Sequence, residues 1–379
     1  MMIGKKKILF LEYFPFIAGG QNVLLSIIEN LKNDYDVEAL IFNRGEIENR
    51  LNKLKIKYHF IQAPKTVKYR YFLTFAKFNK EMYGFIKDGK YDLIYTSGHF
   101  STKLVVPALK KFKIPLIWHK HLIIDKGYFS YMASQMRKLS KFADKIICVS
   151  DASKKSMEKA GVDPGKLVTV YNGVEKPAIN LKSIRNKTRK KYAITKEDFL
   201  CGTVCIFRKD KGLELLIKTA GIINGKGIPM KFMLVGRAEK TDEAYEEQLK
   251  MLAEEKVPGN SFIFTGYANK WDFIPAFDLS VMPSPKEPFG LVTIEAFSAG
   301  VPVAGFAGGG TEEIIKDGYN GYLAAEVTAE NLAQIILAAY DDRKKLKQMS
   351  KNAVDSVKKN FTVEKQMRKI KEIINSVIK

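Results

Sequence analysis

Short β-branched and apolar runs alternate with longer helical segments along this chain, and they do so in two rounds separated by a polar interruption. Such alternation demands parallel sheets with crossover helices, because parallel neighbours cannot be joined by a tight turn. The first round predicts strands at Ile8–Leu11, Val37–Phe42, Tyr58–Ile61, Leu93–Thr96, Ile114–Trp118, Ile146–Val149 and Leu167–Tyr171, with a helix over Asn22–Leu31. From Glu175 to Lys196 the sequence is Lys- and Asn-rich and carries Pro177, which predicts a linker running into a basic helix. The second round predicts strands at Phe199–Val204, Lys231–Val235, Phe262–Thr265, Leu279–Met282 and Val301–Ala304, with helices at Gly212–Ile223 and Leu291–Ala299. The expected class is α/β, with two Rossmann-like, doubly wound domains facing across a cleft. Their expected bounds are 1–175 and 197–360, joined by a linker at 176–196 and followed by a helix over 361–379 that crosses back to the first domain. Ligands of such sheets bind outside the carboxyl ends of the strands, so the chemistry should sit there.

Length and composition agree with this reading. A chain of 379 residues suits two domains, and 46% hydrophobic with 27% charged residues is globular rather than disordered. Three cysteines exclude a disulfide framework; Cys201 and Cys205 lie in the apolar run FLCGTVC without metal-ligand spacing, so these and Cys148 read as small buried hydrophobes. The lysines at the N-terminus precede an apolar run that Glu12 interrupts, which argues against a signal peptide, and no run approaches the roughly 18 apolar residues of a membrane span. A cytoplasmic protein is expected, soluble or peripheral on the cytoplasmic face of a membrane.

Charge is the outlier. The net +22 should draw the chain to an anionic partner, and residues 1–179 carry 31 Lys and Arg against 16 acidic residues, whereas residues 180–379 carry 32 against 25. Residues 65–90 place Tyr71, Phe75, Phe78, Met82 and Phe85 at helical spacing in a lysine-rich stretch. Two readings stand: a crossover helix burying an aromatic stripe, or a basic aromatic surface docking on anionic lipid. A basic nucleic-acid-binding protein is the alternative class, but no helix-turn-helix, zinc-finger or RNP-type element is present, and no nucleic acid partner is expected.

Several strand ends carry candidate chemistry. Gly19 and Gly20 open the first helix, where free amides suit phosphate or sugar oxygens, although a tight strand-to-helix turn would use the same residues. His119 ends a predicted strand, with His121 two residues on, among only four histidines in the chain. Asp34 and Asp36 could suggest a metal-bound nucleotide, but they fall at the wrong end of the sheet. Arg208, Lys209 and Lys211 precede Gly212 at the start of a helix and offer cations to a pyrophosphate, or else form a solvated basic turn. The most informative segment is EPFGLVTIEAFSAGVPV. Glu287 and Glu295 stand eight residues apart around the amides of Gly290, Leu291 and Val292. Two carboxylates bracketing an anion site suit a ligand with hydroxyls on both sides of a diphosphate, as in a nucleotide sugar.

These residues, taken in order, resemble the nucleotide-sugar glycosyltransferases of the GT-B fold, specifically retaining family 4 (group 1). GGQNVLL resembles that family's glycine pair, His119 its strand-end histidine, VSDASKKSMEK its signature helix and VYNGV its Asn-Gly turn. FRKDKG then resembles its basic diphosphate turn, LVGRA the strand end near the nucleotide, and the Glu-x7-Glu segment its most specific motif. The resemblance implies Gly19 and Gly20 near the donor phosphate, His119 near the reacting sugar, and Arg208 with Lys211 on the diphosphate. It implies Glu287 on the donor sugar's hydroxyls, Phe289 and the Gly290, Leu291 and Val292 amides by the diphosphate, and Glu295 on the ribose. Gly236, Tyr267 and Ala268 would lie near the base. Many members place the phosphate arginine where this chain has Ile206, and Arg208 is the only arginine in the turn. The expected reaction is metal-independent transfer, with retention, from a UDP- or GDP-type sugar to a glycan or lipid-linked acceptor in surface polysaccharide, glycolipid or lipid-linked glycan assembly. No resident cofactor is expected. A catalytically inactive nucleotide-sugar-binding module on the same fold is the remaining alternative.

Overall fold

The computed structural model describes residues 4–64, 71–124, 129–175, 177–239, 242–257 and 259–378. Among them, β1 (Lys7–Glu12), β2 (Asp36–Ile41), β3 (Lys57–Phe60), β4 (Leu93–Ser97), β5 (Leu116–Lys120), β6 (Lys145–Cys148) and β7 (Leu167–Thr169) form one sheet. A second sheet holds β8 (Phe199–Val204), β9 (Met230–Val235), β10 (Phe262–Phe264), β11 (Leu279–Met282), β12 (Val303–Phe306) and β13 (Gly321–Ala324). The orders are β3-β2-β1-β4-β5-β6-β7 and β10-β9-β8-β11-β12-β13, with every pairing parallel. Each order reverses once, between β1 and β4 and between β8 and β11. Those reversals open a crevice at the carboxyl strand ends, where Glu12 and Ser97 stand in the first sheet.

The chain divides into two compact units, residues 1–172 with 364–379, and residues 173–363. In the first, Phe10, Tyr95 and Trp118 are fully buried, and Leu9, Leu11, Ile94 and Leu116 join one apolar core. Glu38 is a charged exception inside it. Burial works against the charge, but Lys57 (2.7 Å), Tyr91 (2.8 Å), Lys7 (3.1 Å) and His59 (2.9 Å) hold the carboxyl down at about 2. Asp34 makes an ion pair with Lys371 of the C-terminal helix Val363–Val377 (2.6 Å), and Tyr35 donates to Asn375 of the same helix (2.9 Å).

Three points of the sequence reading meet the structure here. The stretch 176–196, expected as a linker running into a basic helix, holds that helix at Leu181–Lys191, within the second unit. Arg185 and Arg189 bond Asp278 at 2.5 and 3.0 Å and donate to the Ala276 carbonyl, so these two of its basic residues satisfy a buried turn while its lysines face solvent. The aromatic stripe is the second. Residues 65–70 lie outside the described residues, but on the helix Tyr71–Gly89 Phe78 and Met82 are buried and Phe85 packs against the core, which removes them from any lipid-docking surface. The periodicity of 3 and 4 had marked the buried face. The third is an omission, since β13, flanked by Gly321, was not foreseen. No helix among the described residues is long and apolar enough to cross a membrane. Cys148 and Cys201 are buried and Cys205 partly so, all as free thiols, and burial pushes Cys148 and Cys205 up to about 12.

Candidate active site

In the second unit, the short turn Lys209–Lys211 follows β8 and ends at Gly212, whose φ of 65° is left-handed. A Cβ at Gly212 would stand 2.1 Å from the Pro283 carbonyl oxygen, so only glycine lets this turn approach the loop after β11. That approach delivers Lys211 to Glu287, with Nζ 2.6 Å from Oε1 and the glutamate 7% exposed. The Glu287 backbone is fixed from the other side, where Gly310 N–H donates to its carbonyl at 2.7 Å. The triple glycine follows from the same crowding: a Cβ at Gly308 or Gly310 would lie 2.7 or 2.5 Å from the carbonyl oxygens of Pro285 or Pro288.

Gly290, at φ 96°, turns the chain into the helix Leu291–Ser298. The Thr293 amide bonds back to Gly290, while no acceptor among the described residues takes the amides of Leu291 and Val292, which leaves two donors at the positive end of the helix. Glu295 sits further along, 7% exposed, with its Oε1 2.5 Å from Nζ of Lys270. Burial raises its proton affinity and Lys270 opposes that shift.

The residues expected near the base follow two strand ends. Gly236 follows β9 at φ 145°, its amide donates to the Gly266 carbonyl at 3.0 Å, and a Cβ there would strike the Cys205 carbonyl oxygen at 1.9 Å. Next to it Tyr267 is 71% exposed with the Arg237 guanidinium 4.9 Å above its ring, and Ala268 is partly exposed. Arg208 forks onto Asp210, at 2.8 and 2.6 Å, in a half-exposed ion pair beside the same turn. One expected donor residue is placed differently. Phe289 is turned inward, edge-on to Phe361 at 6.1 Å, and supports the loop instead of lining its surface.

In the first unit, Gly19 and Gly20 begin the helix Gly19–Leu31 directly after the β1 loop. His119, placed near a reacting sugar by the sequence, is fully buried inside β5, with Nδ1 2.8 Å from the Tyr95 hydroxyl and Nε2 without a partner. The histidine at the helix start is His121. Its ring lies 4.2 Å from that of His119, Ser97 Oγ is 3.4 Å from its Nε2, and a Cβ on Gly20 would sit 3.6 Å from the imidazole. The reason is strand geometry: residues two apart share a face, and β5 runs one residue beyond His119, so its neighbour two steps later emerges at the end. Burial, then Lys120, lowers His121 to about 4, and burial, then His121, lowers His119 well below the ordinary imidazole value, so both rings are neutral at pH 7. Glu12 closes this cluster at the end of β1. Its Oε1 accepts from the Phe14 amide at 2.9 Å, Oε2 has no partner, and burial raises its proton affinity.

Residues 184–355 match the family model for glycosyl transferases group 1, and residues 17–176 match the model for Glycosyltransferase Family 4. The chain belongs to the group 1 glycosyltransferases of the GT-B fold. An uncharacterized glycosyltransferase of Methanocaldococcus jannaschii is 27% identical, with 95% of each chain covered. The Escherichia coli UDP-Gal:alpha-D-GlcNAc-diphosphoundecaprenol alpha-1,3-galactosyltransferase is 24% identical over 97% of this chain and 96% of that one. Among solved structures, Anabaena HepE in complex with UDP and glucose superposes with a TM-score of 0.85 at 24% identity, covering 98% of this chain and all of that one (100%).

Three residues of this glycosyltransferase escaped the sequence reading: Lys270, Glu12 and the role of His121. Lys270 stands 25 positions before Glu295, and no local pattern links them. Glu12 was visible only as the charge that interrupts an apolar strand, a signal that a carboxylate at the end of a switch-point strand should have raised.

Proposed function

We propose that this glycosyltransferase moves a sugar, with retention at the anomeric carbon, from a UDP- or GDP-type donor to a hydroxyl of a glycan or lipid-linked acceptor. The observation that carries the reading is the Lys211–Glu287 pair beside the free Leu291 and Val292 amides. Departure of the nucleoside diphosphate builds negative charge on its β-phosphate, and a fixed ammonium with two helix amides stabilises that charge as it develops. Glu287, once Lys211 turns to phosphate, accepts from donor-sugar hydroxyls. Glu295 accepts from the ribose, and Tyr267 stacks on the base. In the first unit His121 takes the sugar-facing role that the resemblance implies for His119, as a neutral hydrogen-bonding ring at the Gly19–Gly20 helix start. HepE, with UDP bound, and the Escherichia coli relative, acting on a diphosphoundecaprenol-linked sugar, support the donor class and an assembly role in surface polysaccharide or lipid-linked glycans.

The arrangement supplies its own cations to the leaving group, so the reaction is read as metal-independent. A panel of UDP- and GDP-sugars, assayed for hydrolysis and for transfer to membrane extracts, tests the function. Turnover should persist in EDTA, and the anomeric configuration should be kept in the product by NMR. Activity lost in EDTA and restored by magnesium, or an inverted product, would refute the corresponding part. His121→Ala should depress turnover, and full activity in that variant would return the role to another residue.

A further inference from the structure

Glu295 is the carboxylate read as the ribose holder, yet it lies in the middle of a helix that otherwise buries Ile294, Ala296 and Phe297. A carboxylate there has two problems. It must stay charged although 93% of its surface is removed from water (7% exposed), and it must keep one orientation, because a side chain with two acceptor oxygens can rotate and offer neither well. Lys270 answers both. It reaches Oε1 from the turn Lys270–Asp272, whose entry is fixed by the Asn269 side chain accepting from the Trp271 amide at 3.2 Å. The lysine stem is anchored on the same loop that carries Tyr267, three residues earlier, and its ammonium lies 5.7 Å over the Trp271 ring. No other cation is among the groups acting on Glu295. Among the described residues, no protein donor takes the second carboxylate oxygen.

We propose that Lys270 is a positioning residue for nucleotide recognition: by holding Oε1 of Glu295 it sets the carboxylate plane so that Oε2 is presented to the ribose diol of a nucleoside diphosphate. This rests on the reading of Glu295 as the ribose holder. It also ties the base-side loop to the Glu-x7-Glu helix, so that the distance between the Tyr267 platform and the ribose acceptor is fixed by one ion pair. The group recognised is the vicinal 2′,3′-diol, and the selectivity created is for ribonucleotides over their 2′-deoxy counterparts.

The test is isothermal titration of the full chain with UDP and GDP, each against its 2′-deoxy form. Wild type should prefer the ribonucleotide by about tenfold or more, the loss expected when one hydrogen bond to a charged acceptor is removed. Lys270→Met should shrink that ratio to within about threefold while keeping diphosphate-dependent binding, and Lys270→Arg should restore most of it. A purely structural lysine would weaken both nucleotides equally and leave the ratio unchanged, which would overturn the proposal. A wild type with no ribose preference would instead overturn the assignment of Glu295. Should Lys270→Met fail to fold because the carboxylate is left unpaired, the double variant Lys270→Met/Glu295→Gln removes that charge. Its ratio should match that of Glu295→Gln alone, and a ratio as large as that of wild type would refute the proposal.

Discussion

Gly212→Ala offers a quantitative probe of how the turn that carries Lys211 is built, because a second glycine separates its two costs. Gly212 and Gly227 share almost the same backbone, φ 65° and 69°, but a Cβ at Gly212 meets the Pro283 carbonyl oxygen at 2.1 Å whereas nothing lies within 4 Å at Gly227. Both alanines suffer the left-handed strain, about 1–2 kcal/mol, partly offset by about 0.4–1 kcal/mol from the stiffer unfolded chain. Only Gly212→Ala adds the clash, and overpacking against a rigid backbone costs about 1–3 kcal/mol more. The net is about 1–4 kcal/mol at position 212 and about 0–1.5 kcal/mol at 227, or roughly 2–15 °C against 0–6 °C in Tm for a unit of this size. Thermal denaturation of both variants reads the difference directly. Because the clash is relieved by moving the turn, UDP-sugar hydrolysis should also fall in Gly212→Ala and not in Gly227→Ala. Equal Tm values and equal activities for the two would refute the claim that close approach of this turn to the Pro283 loop places Lys211.

Other outcomes follow from the same contacts. Glu38, held at about 2 against an ordinary 4.5, has a depressed folded pKa, so its stabilisation is complete above the unfolded value and is lost as pH falls from about 5 towards 2. The amount is on the order of 1–2 kcal/mol after solvent screening on the Lys57 side, and Glu38→Gln should flatten the acid limb of a Tm-against-pH curve; an unchanged limb would contradict it. Arg189→Met leaves the carbonyls of Thr195 and Asp198 without their guanidinium donor, and Asp278 and the Ala276 carbonyl with Arg185 as their remaining arginine; it should cost about 3 kcal/mol in urea denaturation, whereas an unshifted midpoint would show that the helix Leu181–Lys191 is not anchored there. Glu287→Gln should abolish transfer while leaving circular dichroism and Tm close to wild type, and near-normal turnover would remove Glu287 from the reaction.

Much of this arrangement was readable before any coordinates. Phe199–Val204 and Leu279–Met282 were bounded correctly because short apolar runs between Gly, Pro and charged turns have few alternatives. Glu287 and the Gly290 helix start were legible because their spacing is local, and local spacing on a strand-turn-helix fixes which groups face one another. What the sequence hid was set by tertiary contact. Arg185 and Arg189 read only as members of a basic helix until Asp278, ninety-three positions from Arg185, is brought beside them. Phe289 reads as a ligand contact until Phe361 is seen to face it. His119 and His121 differ only in whether β5 ends before or after them, and strand ends are where reading from pattern is weakest. Within the basic first half Glu38 pairs with Lys7 and Lys57, and Phe78 and Met82 of the aromatic stripe are core.

The central claim is that Lys211, beside Glu287 and the Leu291 and Val292 amides, receives the diphosphate of a nucleotide sugar. Isothermal titration of wild type and Lys211→Ala with UDP and with uridine, repeated with GDP and guanosine, tests it most directly. The account predicts that wild type binds one diphosphate far more tightly than its nucleoside. In Lys211→Ala that diphosphate should lose about 10- to 100-fold, the range of one charge-assisted hydrogen bond, with nucleoside binding unchanged. Equal affinity for diphosphate and nucleoside in wild type, or undiminished diphosphate binding in Lys211→Ala, would contradict it.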